Sequence, residues 1–210
     1  MVNLIIIGAA NPNIIRLIDD KNASSNQDYN ILGLVDNNWA EIGESAWGHK
    51  VLKGFDSLSN FDRTNTKLIN AIAGNIQVRR ETTEFFVQRG WSFVNLVHPR
   101  TSVSYVKMGI GNIFYEGALV QPYVEIGDHC IFSAGSIIAH NTKLGNFCFI
   151  GPNTTVSGHV AIGDGVYFGV GATILPRLHI GNNVNIAACS LVTKDVLNDA
   201  KVKGLPARRC

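Results

Sequence analysis

From Val120 to Val192 the chain places a large apolar residue at every sixth position: Ile126, Phe132, Ile138, Leu144, Ile150, Val156, Ile162, Phe168, Ile174, Ile180, Ile186 and Val192. Four residues further on in each hexad stand Cys130, Ser136, Thr142, Cys148, Thr154, Val160, Val166, Ala172, Leu178, Val184 and Ser190, which are mostly small or β-branched. A period of six fits neither a 3.6-residue helix nor a lone alternating strand. It fits short strands joined by turns and repeated as a solenoid, with both rows facing inward. Three hexads make one coil, and an 18-residue super-period shows in Ile126-Gly127, Leu144-Gly145, Ile162-Gly163 and Ile180-Gly181. These glycines are expected to supply unusual backbone angles at one corner. Burying each large side chain is worth roughly 1.5–3 kcal/mol, a gain that a single coil cannot realise and a stack can.

The hexads are preceded by a different pattern. Leu4-Ile5-Ile6-Ile7 reads as a buried strand ending at Gly8, and Asn11 with Pro12 opens a helix over Ile14 to Asp20. After a polar loop, Ser24 to Asp28, a second strand over Ile31 to Val35 ends on Asp36. A third strand, Lys67 to Ile72, leads through Gly74-Asn75 into a helix from Val78 to Gly90, and Phe93 to Val97 forms a last strand. Strand, turn, helix, strand, acidic residue is the opening of a nucleotide-binding βαβ unit. Residues 1–96 therefore read as a small Rossmann-like α/β domain with a parallel sheet, and residues 97–210 as the solenoid with a C-terminal tail. The loop Gly8-Ala9-Ala10-Asn11-Pro12-Asn13 lacks the second and third glycines of the dinucleotide fingerprint. The helix behind it still points N–H groups at phosphate, and Asp36 is placed either to accept from ribose or base groups or simply to form the turn.

Composition narrows the function classes. A hydrophobic fraction of 46% with 16% charged residues describes a globular chain, and a formal net charge of +2 does not suggest a nucleic-acid binder. With neither an apolar run long enough for a membrane span nor a basic, cleavable N-terminus, a cytosolic address is expected. Cys130, Cys148, Cys189 and Cys210 show no CxxC pair and no zinc spacing. No metal site is expected, and Cys130 and Cys148, 18 residues apart, read as small buried side chains on successive coils rather than a disulfide.

The α/β domain with Asp36, Ala73-Gly74-Asn75 followed by Arg79, the junction His98-Pro99, the hexads with His140, and the tail Gly204-Leu205-Pro206-Ala207-Arg208 together resemble the sugar O- and N-acyltransferases of the NeuD/PglD type, in the hexapeptide-repeat acyltransferase superfamily. The resemblance implies a left-handed parallel β-helix, a homotrimer, and acetyl-CoA bound between neighbouring helices. It also implies an acetyl-CoA strip at Gly158, Gly169, Val170 and Ala188, with Arg208 towards the adenine end and its 3′-phosphate. The nucleotide-linked amino sugar would be held by Gly8, Asp36, Gly74, Asn75 and Arg79.

The chemistry is consistent with that. His140 follows the inward Ile138 by two residues, at a corner, where a side chain faces outward. Moving acetyl from a thioester to an amine or hydroxyl requires a group that takes a proton from the nucleophile, and imidazole suits this near neutral pH. His140 is thus the expected general base. Two departures stand out: the residue after the histidine is Asn141 where the family usually has Asp or Glu, and Phe149 stands where close relatives carry another histidine. His159, 18 residues beyond Asn141, should stack over it, whereas His49, His129 and His179 read as loop or corner residues and His98 precedes the junction proline. N-acetylation of a nucleotide-linked amino sugar is the expected activity. Its alternatives are O-acetylation of a sialic-acid-like sugar and a catalytically weak sugar-nucleotide-binding scaffold.

Overall fold

The computed structural model describes residues 1–24 and 28–210, so most of the expected polar loop between Ser24 and Asp28 lies outside the described residues. The chain forms two compact units, Met1–Pro99 and Arg100–Cys210.

In the first unit the apolar run becomes strand β1 (Val2–Ile7), its last four residues buried. Helix α1 (Asn13–Ser24) turns Ile14, Ile15, Leu17 and Ile18 inward, and Asn11 Oδ1 accepts the Asn13 N–H at 3.0 Å as its cap. β2 (Tyr29–Asp36) pairs parallel with β1. Next come a short helix α2 (Trp39–Ile42) and a hairpin, β3 (Ser45–Ala46) with β4 (His49–Lys53), that the periodicity does not reveal. A 3₁₀ turn, Phe55–Asn60, precedes β5 (Thr66–Asn70), and α3 (Ile76–Val87) follows. The sheet order is β3-β4-β2-β1-β5, parallel except for the β3–β4 hairpin. Ile5, Ile7, Val35, Leu52, Leu58, Leu68, Phe86, Trp91 and Phe93 form its core. The strand expected over Phe93 to Val97 is reduced to a single bridge from Phe93 to Leu68 and the separate pair Leu96–Val97.

The second unit is the solenoid. Two-residue strands stack in three parallel ladders whose partners lie 18 residues apart, as in Ile126↔Leu144, Phe132↔Ile150 and Ile138↔Val156. All the large positions from Ile126 to Val192 are buried. So is the second inward row, except that Leu178 is half-buried. Cys130 and Cys148 are buried thiols in that row, each Sγ 3.2 Å from a carbonyl of the next coil, Gly145 and Gly163 respectively. After Val192 the spacing shortens, and the tail closes as an antiparallel hairpin, Lys201–Gly204 with Ala207–Arg209.

The corner glycines owe their identity to space, not to backbone angle, which corrects the expectation. Gly127, Gly145, Gly163 and Gly181 are absent from the positive-φ residues. A Cβ at Gly127 would instead meet Asn146 Oδ1 at 2.5 Å and the Gly145 carbonyl carbon at 2.8 Å. What occupies that space is a ladder of side chains. The N–H groups of Ile110, Asp128, Asn146, Asp164 and Asn182 donate to Oδ1 of Asp128, Asn146, Asp164, Asn182 and Asn198 in turn. The left-handed residues sit elsewhere, again at every sixth position from Tyr105 through Gly117, Tyr123, His129, Gly135, Asn141, Phe147 and Asn153 to Cys189, and most are not glycine.

Candidate functional site

His140 immediately precedes one of these left-handed corners, Asn141, whose φ is 59°. Asparagine tolerates that conformation better than most residues, which gives Asn141 a structural reason in addition to a chemical one. The backbone fixes His140 from both sides: its N–H donates to Gln121 Oε1 at 3.0 Å, and its carbonyl accepts the His159 N–H at 3.1 Å. The ring Nδ1 lies 2.9 Å from Asn141 Oδ1. An amide oxygen only accepts, so Nδ1 is the donor in this contact. The ring lies over Gly158, where a Cβ would come within 3.0 Å of Cε1 and 3.1 Å of Nε2. His159 approaches perpendicular to it, ring centroids 5.2 Å apart. The result is an exposed imidazole, held through Nδ1, with Nε2 over a floor that has no side chain.

Further along the solenoid, Gly169 is buried, and its carbonyl accepts the Thr154 hydroxyl at 3.0 Å. A Cβ there would collide with the Ala188 backbone nitrogen. Val170 and Ala188 are exposed one coil apart, so the 18-residue register brings Gly169, Val170 and Ala188 into one narrow strip. Arg208 is exposed in the tail hairpin. With Lys194, Arg209, Val192 and Ala207 it lines a cleft of about 490 Å³.

In the first unit, β2 and β5 flank β1, so the chain leaves β1 towards one side and returns on the other. The carboxyl ends of β1 and β5 are the topological switch point where open α/β sheets bind ligands. Gly8 lies there with φ 90°, a conformation that favours glycine. Its N–H donates to Val35 O at 2.9 Å, and a Cβ would stand 3.0 Å from Ile72 Cγ1. The Asp36 carboxylate accepts the N–H of Ala9 at 3.1 Å and of Asn38 at 2.9 Å, which joins Asp36 to the Gly8 turn. Gly74 faces open space. Asn75 caps α3 by accepting the Val78 N–H at 3.1 Å. Arg79 differs from the expectation of a ligand contact: its side chain has no exposed surface, and Nη1 donates to Ile72 O at 3.1 Å. It braces the β5–α3 loop from beneath.

Residues 141–176 match the family model described as bacterial transferase hexapeptide (six repeats). Among curated proteins none matches the chain. Solved structures do. The acetyltransferase domain of PglB from Neisseria gonorrhoeae, in complex with acetyl coenzyme A, superimposes with a TM-score of 0.88 at 24% identity, covering 99% of this chain and 98% of that one. PerB from Caulobacter crescentus, in complex with CoA and GDP-perosamine, gives 0.87 at 24% identity over 100% and 98%. WeeI from Acinetobacter baumannii gives 0.87 at 21% identity over the whole of both chains. The chain shares the fold of these proteins. It comprises a small α/β unit and a left-handed parallel β-helix.

Within the hexapeptide-repeat frame the remaining singular residues find places. Phe149 is half-buried and stacks on Tyr167, one coil on, with centroids 5.0 Å apart and planes 14° apart. His129, expected at a polar corner, is buried and stacks on Phe147 at 5.1 Å. His49 belongs to β4 rather than a loop, and His98 is buried with Nε2 3.4 Å from Asp20. Gln121, which holds the His140 N–H, is absent from the sequence-based site. Its signal was available, since it lies 19 residues before His140 and hence one coil below.

Proposed function

We propose that this protein transfers the acetyl group of acetyl-CoA to the amine of a nucleotide-linked amino sugar, with His140 as general base. The observation that carries the reading is the His140 imidazole itself, with Nδ1 on Asn141 and Nε2 open over Gly158. The solved structures of the same fold bound to acetyl-CoA, or to CoA and GDP-perosamine, support the choice of substrates. In the reaction the amine nitrogen attacks the thioester carbonyl carbon and an oxyanion forms, to be stabilised by backbone N–H groups. Nε2 accepts the proton that the nitrogen loses; the C–S bond breaks, and the proton passes to the departing thiolate to give free CoA and the amide.

Gly169, Val170 and Ala188 provide the strip for the pantetheine arm, and Arg208 faces the nucleotide end of CoA. Gly8, Asp36 and Gly74 receive the sugar nucleotide, in a loop shaped by Asn75 and Arg79. The protein acts as a homotrimer in the cytoplasm. In support of the trimer, Leu119 and Ile137 are exposed in register on adjacent coils, and Val170 and Leu175 are exposed further on; association would cover apolar surface of this kind. No helix among the described residues is long and apolar enough to cross a membrane.

The test is release of free CoA, followed with a thiol reagent, across a panel of nucleotide-linked amino sugars, with the mass in solution measured by light scattering. The expected result is amine-dependent CoA release by a particle of three chains. No release with any amine would overturn the assignment, and release only with hydroxyl acceptors would move it to O-acetylation. Gly158→Ala offers a finer check. A methyl group under the imidazole must displace it, so turnover should fall roughly tenfold to a hundredfold while the thermal midpoint stays near that of the parent protein.

A further inference from the structure

At the tip of the β3–β4 hairpin, residues Trp47 and Gly48 both have positive φ, 54° and 80°. This is a two-residue turn of the kind that favours Asn-Gly, and a bulky side chain in its first position is unfavourable. The indole therefore calls for a reason beyond the turn. One half of the reason is local: Trp47 Nε1 donates to Ala9 O at 2.7 Å, which ties the hairpin tip to the loop after β1. The other half is what that bond leaves over. With its only polar atom satisfied, the Trp47 side chain remains half exposed, the residue keeping 52% of its accessible surface.

The position of that surface is specific. Ala9 carries Trp47 on its carbonyl and Asp36 on its N–H, so indole, turn and carboxylate form one connected group at the carboxyl end of β1 and β2. The Asp36 oxygens accept two backbone N–H groups, whereas an ionised carboxylate offers about four acceptor sites. Acceptor capacity thus remains for the N–H edge of a ring or for a ribose hydroxyl. Trp39, itself partly exposed, has the Lys53 ammonium 5.8 Å over its ring, so one tryptophan here already has a cation on its face.

We infer that Trp47 is the stacking platform for the base of a nucleoside diphosphate, with Asp36 accepting from the same nucleoside. This rests on the reading of the first unit as the sugar-nucleotide site and adds to it the group that recognises the base. A planar π-face of this size binds any base, and the carboxylate beside it selects for ligands with a donor. The diphosphate extends towards the Gly8 turn.

The test is calorimetric titration of the full-length protein with UDP and with GDP, without acetyl-CoA, against inorganic pyrophosphate and ribose 5-phosphate as ligands lacking a base. Trp47→Asn removes the ring while installing the residue that the turn prefers, so it keeps the hairpin. At about 1–3 kcal/mol for one base stacked on an aromatic ring, it should weaken the nucleoside diphosphate by roughly tenfold to a hundredfold. Trp47→Phe, which retains a π-face, should bind within a few-fold of the parent protein. Equal affinity of Trp47→Asn and the parent, equal binding of pyrophosphate and UDP, or no binding of either nucleoside diphosphate would overturn the proposal. Because acetyl-CoA is absent, failure here is separable from failure of acetyl transfer. A protein that releases CoA with an amino sugar but is indifferent to Trp47→Asn loses only the platform; one that stacks nucleotides but never releases CoA loses only the transferase.

Discussion

Replacing His140 with alanine is expected to lower turnover by about 10²-fold or more, the usual scale for loss of a general base, while acetyl-CoA affinity stays nearly unchanged. The imidazole is an exposed corner side chain whose contacts are Asn141, His159 and the space above Gly158, and no core residue depends on it. Single-turnover kinetics with calorimetric titration of acetyl-CoA would check both halves. Full activity in the variant would mean that the proton leaves through water or the substrate, and the mechanism given above would be wrong. Asn141→Asp sharpens the experiment. The amide now holds the tautomer but contributes no charge to the imidazolium that forms as the proton arrives; a carboxylate at 2.9 Å would contribute it. Turnover should therefore rise, provided that the left-handed corner tolerates aspartate, as it commonly does.

The largest loss of stability is expected at Phe132. Its ring is fully buried and stacks on Phe114 of the preceding coil, with centroids 4.3 Å apart and planes only 2° apart. Phe132→Ala removes the transfer energy of the ring and leaves a cavity that rigid two-residue strands cannot collapse into, at a cost of about 3–5 kcal/mol. Chemical denaturation monitored by circular dichroism should show the midpoint move accordingly. A loss below about 1 kcal/mol would mean that coils are repositioned far more freely than their register implies.

The solenoid was legible because its period puts Ile126, Leu144 and Ile162 in equivalent surroundings, so that one rule read many times overrides local noise. Its corners were less so. The repeated glycine marks where a neighbour's Asn or Asp side chain intrudes, and the left-handed turns fall to residues such as Tyr123, His129 and Phe147, whose types give no hint of it. In the first unit, β1, α1 and β2 follow from apolar runs and capping residues. The β3–β4 hairpin escaped because its turn carries Trp47 where a turn signal would be Asn, and because only Val51 and Leu52 of β4 are buried. The burial of Arg79 was hidden for a similar reason: a guanidinium normally argues for an exposed side chain, whereas this one is buried and donates to the Ile72 carbonyl. The neighbours of His140 were legible by counting in eighteens, which places Gly158 and His159 on the next coil. The tautomer was not, since it depends on the direction of one amide.

The ladder of Asp128, Asn146, Asp164, Asn182 and Asn198 acts as a ruler for the length of the protein. Each rung from Asp128 to Asn182 is used twice, taking an N–H from the coil before and giving its own to the coil after, and Asn198 ends the series as an acceptor. A whole coil of 18 residues could be inserted or removed, and every rung would still meet a neighbour of the same kind. An insertion of any other size would leave one N–H facing the wrong side chain. The last interval, from Asn182 to Asn198, is the only one that measures 16. That shortened step is where the count ends and the chain turns back on itself in the Lys201–Arg209 hairpin.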